Sequence, residues 1–175
     1  KSANIRSDAL YGELTGQDTL SVTVFDDVRD VVWNEKFTLP DGTTADTGET
    51  AWTVGGAGMA SDATAAVQGS VFFSSATDVE AEWRSETIPI DGGTASVEIW
   101  IRSQGVLEAD DTLNVVVVID GVEQQIASRN DNFNGDGWKI VQAGGITGTS
   151  MEIVVRSRTT GTDESHEWDN IIVRH

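Results

Sequence analysis

The chain has no cysteine and only two prolines among its 175 residues. Without cysteine there are no disulfide staples and no thiolate-bound metal, and a chain of this length can be stabilised by a single hydrophobic core. Cations are scarce too: eleven lysines and arginines stand against 29 aspartates and glutamates, for a formal net charge of −18. Such a field repels phosphate backbones and anionic lipid surfaces, so neither nucleic acid nor a membrane is an expected partner. No apolar run approaches the roughly 20 residues that cross a bilayer. The chain opens at Lys1 without an initiator methionine or a signal-like stretch, and is expected to be a module of a larger protein. A sequence pI near 4.1 suits a secreted bacterial protein from salty surroundings.

What is present favours strands. Eighteen glycines with many Thr, Val and Ser suit turns between short strands better than helix interiors. Residues 1–30 read as a linker or leading edge segment, with one strand-like run at 20–25, and the main domain as 31–175. Within it, alternating runs at 31–39, 50–54, 67–73, 79–90, 96–103, 112–121, 122–128, 138–143, 151–158 and 167–175 are separated by turn signals. That spacing predicts an all-β sandwich or barrel. "VVVVIDGVEQQIA" is the clearest hairpin, with Asp120-Gly121 as its two-residue turn. The only helix candidate is 58–66.

Catalytic constellations are hard to assemble. Glu80, Glu82 and Glu86 alternate on one strand with Trp83 between them, and read as a solvated face rather than as a glycosidase pair. A lyase needs a base and an acid, but Tyr11 lies in the leader, His175 is terminal and His166 stands alone. No Gly-x-Ser-x-Gly elbow and no histidine cluster occurs. The chain is expected to be non-catalytic.

Strand alternation separates the faces. Val97, Ile99 and Ile101 oppose Glu98, Trp100 and Arg102; Ala81 and Trp83 oppose Glu82 and Arg84; Met151, Ile153 and Val155 oppose Glu152, Val154, Arg156 and Arg158. Arg84, Arg102, Arg156 and Arg158 with Trp100 and Glu98 are the candidates for a patch that takes an anionic polysaccharide, a uronate or sulfated galactan, with ordinary cross-strand Arg–Glu ion pairs on a strand surface as the plain alternative. The physical reason is that a guanidinium fork matches carboxylate and sulfate while the indole stacks on sugar CH groups. Phe133 and Trp138, beside the loop "NDNFNGDGW", offer a competing loop-edge location. That loop has the acidic spacing of an EF-hand, but Ala143 occupies the twelfth position where a bidentate Glu is required. Trp33, Trp52, Trp83 and Trp168 are assigned to packing.

"FTLPDGTTADTGETAW", "AEWRSETIPIDG" and the closing "TGTSMEIVVRSRTTGTDESHEWDNIIV", spanning roughly 35–174, resemble jelly-roll carbohydrate-binding modules appended to secreted polysaccharide-degrading enzymes of marine and gut bacteria. The resemblance implies a jelly-roll β-sandwich, a polysaccharide partner, a covalently linked catalytic domain and an extracellular location. It also implies a structural calcium tying a loop after the first core strand to the aspartate of the last strand. By position, Asp169 matches the latter, and Asp41, Thr44 and Asp46 are the candidates for the former. An Asx-type turn is the plain alternative for that acidic loop. The alternative function is a structural or adhesive spacer domain that binds no sugar.

Overall fold

A computed structural model of the chain describes residues 30–62, 72–75 (backbone only), 78–128 and 137–175. The leader, the strand-like run at 20–25, most of the 67–73 run and the 130–136 part of the acidic loop lie outside the described residues.

The described strands are β1 (Val31–Glu35), β2 (Ala45–Thr47), β3 (Ala51–Gly55), β4 (Met59–Asp62), β5 (Phe72–Ser75), β6 (Ala81–Ser85), β7 (Ile88–Pro89), β8 (Thr94–Gln104), β9 (Thr112–Ile119), β10 (Val122–Ser128), β11 (Lys139–Thr147), β12 (Ser150–Arg158) and β13 (Ser165–Arg174). They form two antiparallel sheets. The first runs β11-β8-β13-β5-β4, with β1 also on β13, and the second runs β10-β9-β12-β6-β3-β2, with β7 on β12. Strands that follow one another in the chain cross repeatedly between the sheets, as in a jelly-roll β-sandwich.

Period-two alternation carries the fold. In β8 the odd positions from Ala95 to Ser103 are buried while Ser96, Glu98, Trp100 and Arg102 are partly exposed. In β12 Met151, Ile153, Val155 and Ser157 face the opposite sheet. Between the sheets lies the core, where Phe37, Trp52 and Trp83 meet with ring centroids 5.7–6.3 Å apart. Trp33 and Trp168 are buried as expected.

Two elements differ from the sequence expectation. Of the 58–66 helix candidate, residues 63–66 lie outside the described residues, and 59–62 form a strand on β5, because glycines 56 and 58 take positive φ and deliver the short segment to an open sheet edge. The acidic run after Pro40 contributes β2, paired with β3. The predicted hairpin is present: Asp120 and Gly121 have φ of 48° and 83°, the left-handed pair that a two-residue turn requires. Asp120 also accepts hydrogen bonds from the Thr149 and Ser150 amides, joining this turn to the β11–β12 turn.

Candidate functional site

The expected arginine patch is divided by the fold. Arg102, Trp100 and Glu98 project from β8 on the outer face of the first sheet, whereas Arg84 (β6), Arg156 and Arg158 (β12) project from the second. The two groups occupy opposite sides of the sandwich. Alternation reports which residues share a face of one strand, but not which sheet that strand joins.

On the second sheet the arginines are neutralised. Arg84 donates to Glu82 and Glu152, and Arg156 donates to Glu82 at 2.8 Å and to both oxygens of Glu123. Arg158 reaches the Asp78 carbonyl at 2.8 Å and lies 3.7 Å from the Asp110 carboxylate. Partial burial works against ionisation of Glu82, but the hydrogen bonds and charges of Arg156 and Arg84 together hold it below the usual carboxylate range. Val154 and Val116 lie opposite each other on this outer face and are nonetheless buried. Cover by long neighbouring side chains is the physical reason an outward aliphatic position can be dry. This face has the character of a charge-laced surface.

The outer face of the first sheet is different. Trp100 is half-buried on β8, opposite Ile140 of β11, which is 47% exposed. The Arg102 guanidinium pairs with Glu167 on β13 and lies 4.8 Å above the Trp138 ring, within cation–π range. Glu167 also accepts from Gln104 at 3.0 Å and from Ser165 at 2.8 Å. Further along β8, Glu98 accepts from Gln142 at 2.9 Å and stands 3.6 Å from Arg174. Beside it a depression of about 260 Å³ is lined by Ser96, Glu98, Gln142, Gly144 and Arg174. The sheet face and the loop-edge tryptophan, competing sites in the sequence, thus adjoin through Arg102. Glu167, Gln142 and Arg174 were not singled out by the sequence; the strand alternation of β11 and β13 was the available signal.

Of the predicted calcium ligands, Asp41 and Thr44 lie on the segment before β2, Asp46 in β2 and Asp169 in β13. Asp46 Oδ1 accepts from the Gly48 amide at 2.7 Å, an Asx-type turn, and Asp169 is buried on β13, accepting from its successor's amide. Among the described residues the three carboxylates with oxygens all within 4.8 Å of one another are Glu108, Asp111 and Glu164, on the loops after β8 and β12. Asp111 accepts from the Thr160 amide and hydroxyl, and Glu164 from the Gly161 amide. The hydrogen bond between Glu108 and Glu164 raises the Glu108 pKa. Oxygen-only donors of this kind suit calcium chemically.

No protein-family model and no curated protein sequence matches the chain. Solved structures do. A family 61 carbohydrate-binding module in complex with β-1,4-galactotriose superposes with a TM-score of 0.55 at 15% identity, covering 71% of this chain and 88% of its own. A family 22 xylan-binding domain from Paenibacillus barcinonensis gives 0.51 at 17% identity, covering 83% and 94%. The cleaved adhesin domain K3 of Lys-gingipain from Porphyromonas gingivalis gives 0.59 at 11% identity, covering 83% and 100%. This chain has the β-sandwich fold of carbohydrate-binding modules. At such identities the likeness concerns the backbone, so any ligand must be argued from the residues above.

Proposed function

We propose that this chain is a non-catalytic carbohydrate-binding module that holds a polysaccharide on the outer face of its first sheet and anchors an attached, secreted enzyme to it. The observation that carries the reading is Trp100, half-buried beside the Arg102–Trp138 stack and flanked by Glu98, Gln142, Gln104 and Glu167. An indole offers a flat apolar surface for sugar CH groups, and the rim groups offer both donors and acceptors for hydroxyls. Function follows by proximity, since tethering raises the local concentration of substrate around the linked enzyme.

The carboxylates with catalytic promise are otherwise engaged, which supports the non-catalytic part of the reading. Glu82 is held by two arginines, and Glu86 accepts from the Trp33 indole at 2.9 Å and the Ala51 amide at 3.0 Å. His166 is fully buried, with Nδ1 2.7 Å from the Ser103 hydroxyl. The isolated module should release no oligosaccharide from any polymer that it binds.

Affinity electrophoresis against immobilised polysaccharides tests the reading. One polymer should retard the module, and Trp100→Ala should weaken that retardation by about 2 kcal/mol, roughly thirtyfold in affinity, as expected for an aromatic anchor. Retardation unaffected by Trp100→Ala would remove this face. The second reading, a structural or adhesive spacer, is favoured by the likeness to the gingipain adhesin domain and predicts retardation by none.

A structural calcium is also proposed, on the family resemblance and the oxygen-rich donor set of a cysteine-free chain. Melting with calcium should exceed melting with chelator by the mass-action increment, about 2.7 kcal/mol at a hundredfold excess over Kd. An unchanged melting temperature would discard the metal.

A further inference from the structure

We infer that the glycan taken by the first-sheet face is neutral, recognised through its hydroxyl groups rather than through carboxylate or sulfate. The inference rests on the reading of that face as the binding surface and concerns which class of polymer it accepts. It departs from the sequence expectation for a structural reason: the cations of the face are already matched.

Arg102 is bound to Glu167 in a pair whose side chains are only 14% and 7% exposed, and its guanidinium is stacked on Trp138. Arg174, at the other end of the row, lies 3.6 Å from Glu98. Across β8 and β13 the outward ionisable groups are Glu98 and Glu167 against Arg102 and Arg174, one carboxylate to each guanidinium, while Asp169 beside Trp100 is buried. An anionic sugar brought to this face would meet guanidiniums already matched by carboxylates, within a chain of formal charge −18.

Hydrogen-bonding chemistry points the same way. Ionised carboxylates only accept, so Glu98 and Glu167 can engage a ligand only if it donates. Sugar hydroxyls donate and accept, whereas sulfate and uronate oxygens only accept. The neighbouring donors, Gln142, Gln104 and the guanidiniums, then receive the hydroxyl oxygens of the same sugars. Glu98 and Arg102 are separated by about 13 Å along β8 at the usual rise per residue. That span accommodates an oligosaccharide segment with Trp100 beneath its centre.

Glu98→Gln separates the two ligand classes, because it changes affinity in opposite directions. On a neutral glycan it replaces two acceptor oxygens by one and weakens binding several-fold; on an anionic glycan it removes repulsion and strengthens binding. Affinity electrophoresis with wild type, Glu98→Gln and Trp100→Ala would use β-1,4-galactan, xylan, laminarin and agarose as neutral polymers and alginate, ulvan and carrageenan as anionic ones. The expected result is retardation by a neutral polymer, weakened by both substitutions. It should change less than twofold on raising salt to about 0.5 M, where screening falls to a few ångströms. Retardation only by an anionic polymer, lost in salt and enhanced by Glu98→Gln, would overturn the neutral assignment while leaving glycan binding intact. Retardation by no polymer would overturn both.

Discussion

Trp83→Ala is expected to cost about 3–5 kcal/mol of folding free energy, the range for removing a large aromatic from a well-packed core. Trp83 sits at the centre of β6, between β12 and β3, with no exposed surface. Its ring meets Phe37 edge-on at 5.7 Å and Trp52 at 6.3 Å. Those neighbours cannot collapse into the vacated space together, because Trp52 is held in β3 and Phe37 in the segment after β1. For a domain of this size the loss lowers the melting temperature by roughly 6–20 °C. Thermal or urea unfolding reads it directly, with Trp100→Ala as the comparison, since Trp100 faces outward and should leave stability within about 1 kcal/mol. A loss below about 1 kcal/mol for Trp83→Ala would contradict the core described here.

Glu35→Ala is expected to cost about 3 kcal/mol or more, by a different route. The Glu35 carboxylate is only 4% exposed as a residue and accepts from the Phe37 amide, the Thr50 hydroxyl and the Trp52 indole, the last at 2.9 Å. Deleting it leaves three donors facing an apolar interior, each worth about 1–3 kcal/mol when buried and unmade, though not additively. The same carboxylate supports an unusual backbone. Phe37 takes a φ of 50°, a conformation that a bulky residue adopts only when its surroundings enforce it, and its amide is bound to Glu35. Loss of the carboxylate therefore reaches the Phe37–Trp52–Trp83 cluster, and Glu35→Ala with Trp83→Ala should be less than additive.

Glu35 also gives the stability a pH dependence of definite sign. Burial raises its pKa most, with the nearby Asp46 charge adding, against the hydrogen bonds from Thr50, Phe37 and Trp52. A group raised on folding contributes fully below its unfolded value, 4.5 for Glu35 and Glu108 alike, and loses that contribution as pH rises through the folded value. Glu82, Glu123 and Asp120 are lowered, so their contributions hold above unfolded values of 4.5, 4.5 and 3.8 and fade on further acidification. The melting temperature should climb as pH falls from neutrality towards about 4.5 and decline below it. Glu35→Gln, measured on the same series, should flatten the climb; an unaltered slope would show that general relief of negative charge accounts for it.

Much of the sandwich was legible because a strand's side chains alternate whatever the strand packs against. The long runs of β8, β9, β12 and β13 and the Asp120-Gly121 turn follow from local chemistry alone, as does the burial of Trp33, Trp52, Trp83 and Trp168. Short elements were less legible. Met59–Asp62 has too few residues to display a period, and its strand state depends on the neighbour that completes its hydrogen bonds. Glu35 gave no signal at all: a carboxylate at the end of an apolar run looks solvated until three donors from separate segments are seen around it.

The sequence by itself determined the all-β class, the inward and outward sets of β6, β8 and β12, and a formal charge of −18. Tertiary structure alone decided which outward sets are neighbours. It placed Arg84, Arg156 and Arg158 on one side and Trp100 with Arg102 on the other, carried Trp138 under the Arg102 guanidinium, and matched the arginines with carboxylates distant in sequence. The reason is that alternation is a property of one strand, whereas a binding face is assembled by the order in which strands join a sheet. That order depends on crossover connections and on the burial of the whole core, which no local window of residues records.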